Sequence, residues 1–242
     1  QRLPDAIVIE HPKYAGGHLG AAKIEDLGDP RFEFARVLEE TLALFATLGL
    51  ERERIPLIVA GGVASPQALR AVLALGAAAA QIGTPFAVTV EGDAPPEFKR
   101  VLADARPEDI VEFMSVAGLP ARAVRTPWLA KYLRLEPRLK AVAHTKARCN
   151  MAFDCLTQCG LRDGNPRMGQ FCIDHHLAAA LRGDVEHGLF FRGSESVPFG
   201  ARIGPVRDDL TLLADAFHLA HDADVIVTTG GASVGDHDLI RP

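Results

Sequence analysis

Three short apolar segments, each followed by a turn that contains glycine, constrain the fold of this chain more than any other feature. The segments are residues 6–9, 57–60 and 77–82. Helical patterns separate them: apolar side chains recur every three or four positions from Phe34 to Leu48, after a cap at Asp29-Pro30, and a second helix begins at Ser65-Pro66. Strands that alternate with amphipathic helices predict a parallel sheet, so the fold class is α/β.

The glycine turns mark one edge of this sheet as a ligand site. The carboxyl ends of parallel strands meet at one edge, and ligands of α/β folds bind there. A doubly wound sheet and an eight-stranded (β/α) barrel both fit the pattern, but a barrel places phosphate in the loops after its last two strands. The turns at residues 60–63 and 81–84 suit phosphate, because glycine amides approach it closely and the Thr84 hydroxyl adds a donor.

The pattern changes after residue 90. Helical patterns cover residues 96–105 and 107–117, and we expect no strand as far as residue 138. A further helix is predicted from an N-cap at Asp174 to a stop at Gly183. Beyond Pro205 a helix (209–220), a strand (225–227) and a glycine-rich turn follow, which predicts a short separate tail.

Composition favours small-molecule chemistry. The 242 residues have a formal net charge of −5 with no basic stripe, which excludes the electrostatic signature of a nucleic-acid or anionic-membrane partner. No apolar run approaches the roughly 20 residues of a membrane span, and the first residues do not form a signal peptide. We expect a cytoplasmic protein, and whether it forms a homo-oligomer stays open.

The four cysteines do not predict a metal site. Cys149, Cys155, Cys159 and Cys172 have the spacing C-x5-C-x3-C-x12-C, which matches none of the paired C-x2-C zinc patterns. They are also too close together for a secreted disulfide framework, and a metal or iron-sulfur site stays open without being favoured. The neighbouring His175 and His176 point to different helix faces, which argues against a shared metal.

Several motifs together resemble one enzyme family. They are Ala15-Gly-Gly-His-Leu-Gly20, Ile55-Pro-Leu-Ile-Val-Ala-Gly-Gly-Val63, Leu75-Gly-Ala77 and Gln81-Ile-Gly-Thr-Pro-Phe86. Three later motifs, Gly160-Leu-Arg-Asp-Gly164, Gly169-Gln-Phe-Cys-Ile173 and Gly188-Leu-Phe-Phe-Arg-Gly193, continue the likeness. In order and spacing they resemble the second half of a nitronate monooxygenase (2-nitropropane dioxygenase-like) barrel, over residues 1–205.

The resemblance implies an FMN-dependent enzyme that oxidises alkyl nitronates with dioxygen to a carbonyl compound and nitrite. His18 matches the family's catalytic histidine, a base for the nitroalkane Cα or a stabiliser of the nitronate anion. The positions that match FMN contacts are Gly16, Gly17, Gly61, Gly62, Gln81, Gly83 and Thr84. The last two glycine turns would hold the phosphate, and no metal is implied.

Two features depart from the family pattern. His11 stands near a position where many members have a glutamine that faces the flavin, and Lys13-Tyr14 replaces an acidic residue before the turn. The family's early strands are also missing, so we expect a partial TIM-type (β/α) barrel over residues 1–130 and a helical extension over 131–205. Three strands cannot close a barrel, and their open edges predict weak FMN binding and impaired activity.

The tail, residues 206–242, resembles a different family. Residues 224–238, Asp-Val-Ile-Val-Thr-Thr-Gly-Gly-Ala-Ser-Val-Gly-Asp-His-Asp, are similar to the signature of molybdopterin molybdenumtransferases. That resemblance implies a pterin or nucleotide site at the glycine turns, and Asp238 matches an aspartate required for molybdate insertion.

Three alternatives to a nitronate monooxygenase remain open. An enoyl reductase-like or NAD(P)H:flavin oxidoreductase barrel would bind flavin and be reduced by NAD(P)H. A molybdenum-cofactor biosynthesis protein would bind a pterin or nucleotide and stay colourless. The chain is also consistent with an inactive fusion or truncated fragment.

Overall fold

The computed structural model of the protein describes residues 3–145, 149 and 155–205. Its strands are β1 (Ile7–Glu10), β2 (Gly17–His18), β3 (Leu57–Ala60), β4 (Ala79–Gln81), β5 (Ile110–Met114) and β6 (Pro120–Val124). Its α-helices are α1 (Phe34–Thr47), α2 (Pro66–Ala74), α3 (Thr84–Ala87), α4 (Pro96–Asp104), α5 (Pro127–Ala141), α6 (Gly160–Asp163) and α7 (Ile173–Leu181). The predicted tail, residues 206–242, lies outside the described residues.

The first sheet is parallel, as the alternation of strands and helices predicts. Its strand order is β1-β3-β4, with Ile9 opposite Val59 and Ala60 opposite Gln81. All four residues of the central strand β3 are buried. Because side chains alternate between the faces of a strand, Leu57 and Val59 share one face, and α1 and α2 pack on it through Leu38, Phe45 and Val72.

The helix ends in this unit follow the predicted capping rules in part. The Ser65 hydroxyl accepts a hydrogen bond from the Ala68 amide at 3.1 Å and caps α2, as expected. Asp29, by contrast, caps a separate 3-10 turn over Pro30–Phe32, and α1 begins later, at Phe34.

The second sheet was not predicted. It is antiparallel, with the order β2-β6-β5, and the expectation of a helix over 107–117 without a strand is wrong. Ile110, Val111 and Phe113 favour a strand, and Gly118 (φ +80°) makes the tight turn that lets β6 fold back on β5.

Helices α5 and α7 cover this second sheet. Fully buried Ala121 and Ala123 of β6 pack with Leu129 of α5 and with Phe171 and Leu189. The predicted helix at 174–183 is present but begins at Ile173, so the N-cap is Cys172 and not Asp174. No helix in the described ranges has the length and hydrophobicity needed to cross a membrane.

Candidate active site

A cavity of about 340 Å³ lies at the carboxyl edge of the parallel sheet. It brings together the turns after β1, β3 and β4, which are far apart in sequence. Six of the seven predicted cofactor positions line it: Gly16, Gly61, Gly62, Gln81, Gly83 and Thr84. Gly17 and His18 are not among its lining residues.

The turn after β3 needs glycine because it packs closely against the turn after β1. Gly61 has a φ of +88°, and a Cβ there would lie 2.9 Å from the backbone oxygen of His11. A side chain at this position would therefore be strained and would push the two turns apart. At Gly83, a Cβ would have no neighbouring atom within 4 Å, so the backbone around it is open to a ligand.

The segment over residues 191–197 closes one side of the cavity. The Gly193 amide donates to the Thr84 hydroxyl oxygen at 3.1 Å, and the Ser194 amide donates to the Tyr14 carbonyl at 3.1 Å. A Cβ on Gly16 would overlap the backbone of Arg192, so Gly16 permits this close approach. Because Thr84 accepts from Gly193, its own O–H remains to donate to a ligand.

Glu10 lines the cavity at the end of β1 and was missed by sequence reasoning. One of its carboxylate oxygens accepts a hydrogen bond from the Gly20 amide at 3.0 Å. Burial raises the pKa of Glu10, and the Gly20 bond and the nearby Arg122 charge partly oppose that shift. The residue joins the strand end to the loop that follows His18.

His18 lies in β2 and packs beside Phe191. Its ring centroid is 5.7 Å from that of Phe191, which lines the cavity. Its Nε2 lies 2.6 Å from the hydroxyl oxygen of Ser115, which is fully buried. Burial lowers the pKa of His18, so the ring is neutral at neutral pH.

The Ser115 contact engages Nε2 of His18 and leaves Nδ1 as the other ring nitrogen. The Ser115 hydroxyl oxygen also receives the Ala117 amide at 3.2 Å. If Nε2–H donates to the same oxygen, Nδ1 carries the free lone pair, and a base at this position would act through Nδ1. Ser115 is thus an orienting group that no sequence motif indicated.

Arg122 holds the loop that carries His18. Arg122 is 2% exposed, and its Nη1 donates to the carbonyls of Pro12 and Ala15. Its Nε and Nη2 donate to one oxygen of Glu112, at 3.1 and 2.7 Å. The loop between β1 and β2 is therefore fixed to the second sheet by one buried guanidinium.

His11 does not line the cavity. Its ring is 2% exposed and packs against Tyr14 and Phe34, with centroids 4.6 and 5.2 Å away. The Lys13 amide donates to its Nδ1 at 3.3 Å, and its Nε2 lies 3.5 Å from the Glu33 carboxylate. This residue therefore supports the turn after β1.

The cysteines and the histidine pair lie apart from this cavity. Cys159 is buried, and Cys155 is exposed. No group of three or more potential metal ligands comes together within the ranges that the structure covers. His176 stacks on Trp128, with centroids 3.9 Å apart, and its Nδ1 meets the His187 carbonyl at 2.7 Å.

Stability should rise with pH through the histidine range. Burial lowers the pKa of His11, His18 and His176 below the ordinary histidine value of 6.5, so the unfolded chain binds more protons near that pH. Their contribution is complete above 6.5 and is lost as the pH falls below it. We expect urea denaturation to give a smaller free energy of unfolding at about pH 5.5 than at about pH 7.5.

The raised pKa of Glu10 acts in the opposite direction, because the folded chain then binds more protons above pH 4.5.

Removing one of the three histidines, in His18→Gln, should flatten the slope of stability against pH. A slope that is unchanged in this variant would show that His18 is protonated alike in the folded and unfolded chains.

Two family models match this chain. The family model described as "Nitronate monooxygenase" matches residues 1–210. The chain belongs to the nitronate monooxygenase family. A second model, "Probable molybdopterin binding domain", matches residues 200–242. Both family resemblances expected from the sequence are thus confirmed.

Relatives in this family match over part of their length. A "Nitronate monooxygenase" from Pseudomonas aeruginosa is 32% identical over 120 residues, which are 50% of this chain and 31% of that protein. A "Probable nitronate monooxygenase" from Staphylococcus saprophyticus is 28% identical over 130 residues, 52% of this chain and 33% of that protein. The matched region spans about a third of the length of these relatives.

Solved structures match a larger share of the chain than these sequence relatives do. A FabK variant from Thermotoga maritima has a TM-score of 0.51 at 25% identity and covers 90% of this chain and 54% of its own. A nitroalkane oxidase from Streptomyces ansochromogenes has the same TM-score and identity, with 90% and 52% coverage. The chain spans about half the length of these structures.

Proposed function

We propose that this family member is a flavin-dependent nitronate monooxygenase that binds FMN in the cavity at the carboxyl edge. The observation that carries the proposal is that six predicted FMN positions, from three separate turns, line one cavity. Its donor set suits a phosphate: the open backbone at Gly83 and the free O–H of Thr84. Bound FMN would supply the redox centre for oxidation of the nitronate by dioxygen.

His18 would act as the base toward neutral nitroalkanes. Its Nδ1 would accept the proton from the nitroalkane Cα, and the electron pair of the broken C–H bond would move into the nitro group to give the nitronate. A neutral imidazole can do this because burial lowers the pKa of His18. His18 packs beside Phe191, which lines the cavity, so the substrate would lie next to that ring.

We propose the sheet β1-β3-β4 as the last part of a (β/α) barrel, within residues 1–130. The two glycine turns after β3 and β4 then correspond to the barrel loops that hold phosphate. We propose residues 131–205 as the cysteine-containing extension; its segment 191–197 lines the cavity.

Flavin retention followed by turnover tests this function. The purified chain is mixed with FMN and desalted, and its visible absorption is recorded; retained flavin bands support the site, and a colourless protein contradicts it. Nitrite release from an alkyl nitronate under air then tests the reaction. Bleaching of the bound flavin by NAD(P)H, without nitrite release, would favour the flavin-reductase alternative.

A second binding function is favoured for residues 200–242 by their match to a molybdopterin-binding family model. We propose that this segment binds a pterin or nucleotide phosphate. Titration with a nucleoside triphosphate, followed by calorimetry, tests it. Heat of binding that is equal in a chain ending at residue 205 would contradict it.

A further inference from the structure

Arg192 is a buried cation at the wall of the cavity. The residue is 3% exposed and lines the cavity beside Thr84 and Gly193. Its Nε donates to the Leu102 carbonyl at 2.8 Å, and its Nη1 donates to the Gly193 carbonyl at 3.0 Å. No carboxylate of the described chain forms an ion pair with it, and none of the described residues accepts from its Nη2.

A buried guanidinium without a counter-charge is costly, because carbonyl dipoles replace only part of its hydration. Burial lowers the pKa of Arg192, which reflects the same cost. An anion in the cavity that Arg192 lines would supply the missing charge. Arg122 provides the contrast, since its buried guanidinium is paired with Glu112.

Arg192 is linked through Gly193 to the turn at Gly83-Thr84, where we propose that the phosphate binds. Gly193 accepts from Arg192 through its carbonyl and donates to Thr84 through its amide, so one residue joins the two side chains. Two carboxylates also line the cavity, but the Gly20 amide holds Glu10, and Glu195 is exposed to water. Of the charged residues that line the cavity, Arg192 is the one that is buried and is hydrogen-bonded, through Gly193, to Thr84.

We propose that Arg192 neutralises a phosphate monoester in this cavity and so makes the site selective for FMN over riboflavin. The inference rests on the proposed flavin site. A phosphate monoester carries a charge of about −1.5 to −2 at neutral pH, and arginine pairs with it through charge-assisted hydrogen bonds. Riboflavin has the same ring and side chain without this charge.

A structural role for Arg192 makes a different prediction. Its bond to Leu102 ties α4 to the segment 191–197, and loss of that contact would weaken both flavins equally. An electrostatic role weakens FMN alone. The ratio of the two dissociation constants therefore distinguishes the roles.

Flavin fluorescence quenching measures both dissociation constants in the wild-type chain, Arg192→Gln, Arg192→Lys and a control, Arg70→Gln, at an exposed position outside the cavity. We expect the wild type to prefer FMN, and Arg192→Gln to lose about 10- to 100-fold in FMN affinity with riboflavin unchanged. Arg192→Lys should keep part of the preference, and Arg70→Gln all of it. Equal loss for both flavins would overturn the inference.

Two further measurements extend the test. The first uses only the wild type, so it does not depend on whether a variant folds, and the second uses phosphate in place of flavin. In the wild type alone, raising the salt concentration should weaken FMN and leave riboflavin unchanged, and parallel weakening counts against Arg192. If the wild type binds neither flavin, the proposed function fails, and inorganic phosphate becomes the probe. Phosphate should then raise the Tm of the wild type but not of Arg192→Gln, and equal shifts would overturn the anion site as well.

Discussion

Replacing His18 with glutamine should lower the turnover of neutral nitroalkanes by about 10²- to 10⁴-fold, the usual contribution of a positioned general base. Glutamine keeps a donor that can reach Ser115, which lies 2.6 Å from Nε2 in the native chain, but it cannot accept a proton. FMN retention should not change, because His18 does not line the cavity. Nitrite release from a neutral nitroalkane and from its preformed nitronate gives the measurement.

The two substrates separate the base role from a general loss of activity. A preformed nitronate needs no proton removal, so the variant should lose much less of its turnover with this substrate. Ser115→Ala is the matched control: it removes the orienting hydroxyl and keeps the imidazole, so its loss should be smaller than that of His18→Gln. Unchanged turnover of the neutral nitroalkane in His18→Gln would remove the base assignment.

Local patterns predicted the parallel half of the fold. The apolar run over 57–60 is strand β3, and the Ser65-Pro66 signal is the capped start of α2. Both depend on neighbours within a few residues, which a sequence pattern records directly. The cavity followed from the same logic, because parallel strands must bring their glycine turns to one edge.

The second sheet depended on contacts that no local pattern records. β2 has two residues, Gly17 and His18, and it exists because β6, more than 100 residues later, pairs with it. A signal for the β5–β6 hairpin was present, since Ile110, Val111 and Phe113 precede a glycine turn at Gly118. The prediction of a helix in that region gave too little weight to these β-branched and aromatic residues.

The groups that support the site were missed for the same reason. Ser115, Arg122 and Arg192 act on partners about 90 to 110 positions away. A single serine or arginine in a sequence does not indicate its partner. Only the fold shows that Ser115 contacts His18, that Arg122 binds the loop between β1 and β2, and that Arg192 lines the cavity. The glycines were predictable because their chemistry is local, whereas the buried charges were not.

The largest loss of stability should come from removing Arg122. Arg122→Met keeps an unbranched side chain of similar length but leaves the Pro12 and Ala15 carbonyls without their donor. Each buried acceptor that loses a charged partner costs about 1–3 kcal/mol, so we expect a loss of about 3 kcal/mol in the free energy of unfolding. Glu112 adds little, because it is 42% exposed and water can hydrate its carboxylate.

The effect should reach the site as well as the stability. Arg122 lies opposite Gly17 in the β2–β6 pairing, so its loss releases the loop that positions His18. Urea denaturation compares this variant with Arg125→Met, whose arginine is 47% exposed and 3.8 Å from Asp109, and which should lose less than about 1 kcal/mol. Equal losses in the two variants would show that the buried bonds to Pro12 and Ala15 contribute no more than a surface ion pair. A larger loss in Arg122→Met, together with weaker FMN retention, would show that the same guanidinium stabilises both the fold and the site.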